Sequence, residues 1–172
     1  MGRKGWSELI NKNRFRPLII FIIHLSTNPF IHAKNNVDRI HIIFTNDLRG
    51  AIQYQEAPFI NPEFAPRVTG GAAALKYVRE VREEASKNGE GLLVLDGGNI
   101  FQGNPLGTRD GGETIIKWMN QMGYDAMTVG NYDFDQGVEN VRKLSKLAEF
   151  PFLGGNILDE STGRSVDFCT PY

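Results

Sequence analysis

Short apolar runs alternate with amphipathic stretches along residues 39–154 of this 172-residue chain, and each apolar run ends in a polar loop. Residues 39–45 (RIHIIFT) are β-branched and aromatic, which predicts a strand. Residues 92–95, 125–129 and 151–154 predict three more short strands. Between them lie three helical patterns. The first opens at Gly70-Gly71 with Leu75, Val78, Val81 and Ala85 on one face and stops at 87–89. The second spans about 113–122, with Ile115, Met119 and Met122 facing inward and Gly123 ending it. The third spans about 136–148, with Val138, Val141, Leu144 and Ala148 as its stripe. Residues 51–69, with Pro58, Pro62 and Pro66, read as a long loop, and 102–112 as a glycine-rich one. The alternation predicts an α/β fold with a largely parallel sheet. Ligands in such folds bind beyond the carboxyl ends of the strands. That rule selects residues 46–50, 96–103 and 130–135, which carry Asp47, Asn99 and Asn131. Oxygen-bearing side chains on glycine-containing loops suit hard-metal or phosphate chemistry, and each loop taken singly also suits an ordinary turn. Neither common phosphate-loop motif, G-x-x-x-x-G-K-[ST] or G-x-G-x-x-G, occurs.

The overall charge of -1 conceals a split. Residues 1–33 hold five basic side chains (Arg3, Lys4, Lys12, Arg14, Arg16) against Glu8, a charge of +4, which leaves -5 for the rest. The basic stretch runs into the apolar 17–25 (PLIIFIIHL) and ends at Ile31-His32-Ala33. This is the layout of a secretory signal peptide, so residues 1–33 are expected to be a leader and 34–172 an exported domain, periplasmic or extracellular. The apolar run is shorter than the ~20 residues that cross a bilayer, so no stable membrane span is expected. The balanced charge gives no reason to expect nucleic-acid binding. Cys169 is the one cysteine, which excludes an internal disulfide framework and predicts a buried free thiol.

The strand-end loops carry a longer pattern. It comprises FTNDLRG at 44–50, GGA at 70–72, LVLDGGNIFQGNP at 93–105, MGYDAMTVGNYDFD at 122–135 and FPFLGGN at 150–156. In this order and spacing the pattern resembles the calcineurin-like metallophosphoesterases. Within them it most resembles the exported 5'-nucleotidase and nucleotide-sugar diphosphatase family. The resemblance covers residues 39–172. It implies part of a four-layer αββα sandwich with a mixed, largely parallel sheet, a pair of divalent metal ions at the strand ends, and phosphoester or nucleotide ligands. A metal pair generates hydroxide and clamps an in-line displacement. In that pattern Asp47, Asn99 and Asn131 stand at metal-ligand positions, and Tyr132 and Asp135 at those of the catalytic group and its orienting acid.

Three positions depart from the family. Arg49 stands where a His ligand is expected, Asn99 where a bridging Asp is expected, and Tyr132 where the catalytic His is expected. Asp133 replaces a Glu, and the later His ligands have no counterpart. Two dications about 4 Å apart repel by roughly 16 kcal/mol at an effective dielectric of about 20. A bridging carboxylate offsets much of that and a neutral amide far less. Arg49 ligates no metal, and its fixed charge near Asp47 would stand in for a cation. Tyr132 stays protonated at neutral pH and lacks the cationic form of His. The expectation is a degenerate hydrolase domain, weak or inactive alone and a poor metal binder. The alternatives are a metal-free phosphate or nucleotide-binding module and a non-functional gene fragment. Activity would call for a complementing chain, and unpaired sheet edges predict self-association.

Overall fold

A computed structural model describes residues 39–171 of the protein. The expected leader, residues 1–33, lies outside the described residues.

Four strands form one parallel sheet: β1 Ile40–Thr45, β4 Gly91–Asp96, β5 Ala126–Thr128 and β6 Phe152–Leu153, side by side in that order. They are the four expected strands. A two-stranded antiparallel pair, β2 Gln55–Glu56 with β3 Arg67–Val68, closes the loop at 51–69. That corrects the reading of the segment as wholly irregular. Its pairs are too short to leave a periodic signal.

Helix α1 spans Gly71–Asn88 and ends at Gly89, whose φ of 70° is left-handed. Its stripe packs inward through Val78 and Ala85. A four-residue helix, α2 Pro105–Thr108, sits inside the stretch read as a glycine-rich loop. Asn104 caps it by accepting from the Leu106 N–H at 3.0 Å, a signal visible as Asn-Pro. Helix α3 spans Glu113–Met122 and buries Ile115, Ile116, Met119 and Met122. Helix α4 spans Val138–Leu147 and buries Val141 and Leu144. Val138, expected on its inner face, is 48% exposed, because it sits on the first turn beyond the reach of the core.

The strands are added in one direction along the sheet. Right-handed crossovers then carry every connecting helix to the same face. Burial agrees with this. Val94, Met127 and Phe152 share the helix side and lie at 0–3% exposure. The core beneath the helices is built from Ile100, Phe101, Ile115, Ile116, Met119, Val141 and Leu144. Cys169 is buried at its margin as a free thiol, as expected. Among the described residues no helix is long and apolar enough to cross a membrane.

Candidate functional site

All three polar loops selected from the sequence leave the same end of the sheet, because β1, β4 and β5 are parallel neighbours. The segment after β1 runs beside the segment after β4. Backbone N–H groups of Asp47, Arg49 and Gly50 donate to the carbonyls of Gly98, Asn99 and Ile100 at 3.0, 3.0 and 2.7 Å. This pairing holds Asp47, Arg49 and Asn99 in left-handed backbone conformations, with φ of 53°, 47° and 60°. Among the described residues these three are the non-glycine residues at positive φ. Such conformations cost about 1–2 kcal/mol each for L-residues, less for Asp and Asn than for Arg, and they concentrate at functional sites.

The side chains converge on Asp47. Asn99 donates its amide to Asp47 Oδ1 at 3.0 Å, and Asn46 donates to Oδ2 at 2.8 Å. Arg49 Nε lies 3.5 Å from Oδ1, and its guanidinium sits 4.4 Å from the centre of the Tyr132 ring. Asn99 Oδ1 accepts the Tyr132 backbone N–H at 2.9 Å, which fixes which end of the amide faces Asp47. Asn131, Tyr132 and Asp135 lie on a 3-10 turn, Asn131–Phe134, and its C-cap. Asn131, Tyr132 and Asp135 are all exposed. Thus Asp47, Arg49, Asn99 and Tyr132 form one contacting cluster, while Asn131 and Asp135 stand at its rim.

Two buried carboxylates frame the cluster. Asp133, 2% exposed, accepts the N–H groups of Asn99, Ile100 and Gly130, each at 2.8 Å. It ties the loop after β5 to the loop after β4. Burial pushes its pKa up, against the pull of those three amides. Asp96 accepts from the Thr45 hydroxyl at 2.5 Å and from the Gly98 N–H at 2.7 Å. Burial raises its pKa to about 6. Thr45 in turn shares a hydrogen bond with the Tyr124 hydroxyl at 2.8 Å. Neither Asp96 nor Asn46 was selected as a site residue from sequence, and Asp133 was noted only as a mild substitution. A signal for Asp133 existed in its place three residues after Gly130, where an acid caps a helical turn.

The donor set does not fit a pair of divalent cations. Metals need lone pairs, and Asn99 turns its N–H toward Asp47 while its oxygen is used by Tyr132. Arg49 brings a fixed positive charge to the remaining carboxylate. Among the described residues no group of three or more His, Cys, Asp or Glu side chains is placed to hold a metal ion.

No protein-family model matches the chain. The chain is 37% identical over 143 residues to protein UshA of Salmonella pullorum, covering 83% of this chain and 24% of that protein. It is 36% identical over 118 residues to human 5'-nucleotidase, covering 67% of this chain and 20% of that one. Among solved structures, the 5'-nucleotidase precursor from Thermus thermophilus superposes with a TM-score of 0.60 at 25% identity, covering 76% of this chain and 25% of that one. The chain therefore spans between a fifth and a quarter of the length of these proteins.

Proposed function

For a chain that belongs to the 5'-nucleotidase branch of the calcineurin-like metallophosphoesterases, we propose a degenerate form of that hydrolase fold, in which an internal polar lock occupies the place of the metal centre. The lock is Asp47 with Arg49, Asn99 and Tyr132, and this chain by itself hydrolyses nucleotide-type phosphoesters weakly or not at all. The carrying observation is that Asp47, the carboxylate on which the cluster converges, is already engaged by two amides and a guanidinium. A carboxylate so neutralised attracts a dication far less than a bare one.

Exported placement is part of the same reading. It is supported by the basic and apolar layout of residues 1–33. Substrate-level activity would require metal ligands beyond those that the described residues bring together. The alternative of a metal-free phosphate or nucleotide pocket is less well supported. Arg49 is the cation of the cluster, and Asp47 at 3.5 Å offsets it, with Asp135 at the rim. That charge balance does not favour an anion.

The test is metal analysis of the purified full chain combined with phosphate release from 5'-AMP in zinc, manganese or magnesium. The expected result is less than one metal per chain and no release above buffer. Two tightly held metals with turnover would overturn the proposal.

A further inference from the structure

Beneath the lock runs a chain of three oxygens: Asp96 Oδ2, the Thr45 hydroxyl and the Tyr124 hydroxyl, spaced 2.5 and 2.8 Å. Asp96 and Tyr124 are buried, at 2 and 5% exposure. Strand register sets the first link, because Thr45 and Asp96 are the paired last residues of β1 and β4. The other carboxylate oxygen, Oδ1, takes the Gly98 N–H at 2.7 Å. The Gly98 carbonyl accepts the Asp47 N–H, and the next residue is Asn99. Gly98 therefore joins the buried chain to the two residues at the centre of the lock.

Counting protons separates two states of this chain. An ionised carboxylate only accepts, so Thr45 donates to Asp96 and Tyr124 donates to Thr45. Two hydroxyl protons then fill two links. A protonated Asp96 brings a third proton to the same two links. That proton sits on Oδ2, because Oδ1 faces an N–H donor. One hydroxyl proton, on Thr45 or Tyr124, is then left without an acceptor in the chain, and a buried unpaired donor is costly. The Gly98 N–H meanwhile keeps a neutral acceptor, a weaker partner than a carboxylate.

We propose that Asp96, Thr45 and Tyr124 form a proton-operated switch beneath the lock, which holds the Gly98 turn firmly against Asp47 when Asp96 is ionised and loosens it when Asp96 is protonated. The titratable groups that face Asp96 are Asp47 after β1, Tyr124 ahead of β5 and Asp133 on the 3-10 turn. Burial, with the two acids behind it, raises the Asp96 pKa to about 6, so the change falls between mild acid and neutrality. Tyr124 stays protonated throughout, its pKa pushed up to about 12 by burial. Protonation relieves a buried charge for the fold as a whole while removing one link from the chain, so global stability and the local turn respond in opposite senses. The inference rests on the lock of the proposed function. Its readout is hydrogen bonding and not metal or turnover, so its failure leaves that reading standing.

Nuclear magnetic resonance of the isotope-labelled full chain, between about pH 5 and about pH 8, tests it. The expected result is one shared inflection at about pH 6 in the Gly98 amide, the Tyr124 ring, the Asp47 amide and the Asn99 side-chain amide. Asp96→Asn removes that inflection. Thr45→Val removes it from Tyr124 and leaves one at Gly98, and Thr45→Ser restores it at Tyr124, because the link needs only the hydroxyl. The carboxyl carbon of wild-type Asp96 supplies the midpoint directly should Asp96→Asn fail to fold. Flat traces at Gly98 and Tyr124 overturn the proposal. So does an inflection that persists in Asp96→Asn, which assigns it to Asp47 or Asp133, or movement at Gly98 and Tyr124 with Asp47 and Asn99 unmoved.

Discussion

Asn99 donates its side-chain amide to Asp47 Oδ1 at 3.0 Å across 52 residues of sequence, and both residues hold left-handed backbone conformations. The two loops are thus locked twice, by backbone pairing and by a side-chain bond between the same segments. An Asp at position 99 would face Asp47 with like charge. Asn99→Asp is expected to destabilise the protein by about 1 kcal/mol in chelator, after solvent screening. Millimolar manganese is expected to recover part of that loss in the variant and to leave the wild-type melting temperature unmoved. Thermal melts with and without metal measure both.

Asp133 should matter more for stability than any exposed member of the cluster. Its carboxylate satisfies three backbone N–H groups at a buried junction of two loops. Asp133→Ala leaves those donors without a partner, which costs about 3–5 kcal/mol. Asp133→Asn keeps one acceptor oxygen and should fall between. Urea midpoints of the two variants against wild type give the ordering.

Asp96 should make stability depend on pH in an uncommon direction for a carboxylate. Its folded pKa, about 6, lies above its ordinary value, so the folded state holds the proton more tightly than the unfolded chain. The stabilisation is full below the unfolded pKa and is lost as pH rises through about 6. Two pKa units correspond to about 3 kcal/mol in all. Between about pH 4.5 and about pH 7.5 the wild type is expected to lose about 2 kcal/mol more than Asp96→Asn. Denaturation of both proteins at those two pH values reads this difference directly.

Gly50 and Gly163 separate backbone strain from packing. Both have left-handed φ, +74° and +64°. A Cβ at Gly50 would lie 2.8 Å from the Gly107 backbone, while at Gly163 it meets nothing within 4 Å. Gly163→Ala should therefore cost about 1 kcal/mol, the conformational penalty alone. Gly50→Ala should cost about 2–4 kcal/mol, because neither backbone can move aside without breaking the pairing of the two loops. Unfolding curves of the two variants supply the comparison.

Periodicity in the sequence located the four strands of the main sheet and the three longer helices, and the end of α1 at Gly89 and of α3 at Gly123 followed from glycine placement. It also brought the loops that carry Asp47, Asn99 and Asn131 to one end of the sheet, since parallel strands end on a common edge, while Arg49 and Tyr132 stood out only through the family resemblance. What it left out were features without a local signature. The β2 and β3 strands are two residues each, and α2 is a single turn. Val138 matched the apolar spacing of α4 yet lies exposed, because spacing describes a face and not how far the core extends along it.

The amino-acid order alone determines the βαβ alternation, and with it a sheet whose polar loops gather at one end, because side-chain periodicity is a property of a few consecutive residues. Tertiary structure decided the rest. Only the folded chain sets which atom of Asn99 faces Asp47 and how Asp133 reaches residues 33 and 34 positions away. Those outcomes depend on bonds and burial between segments far apart in sequence, which no local pattern encodes.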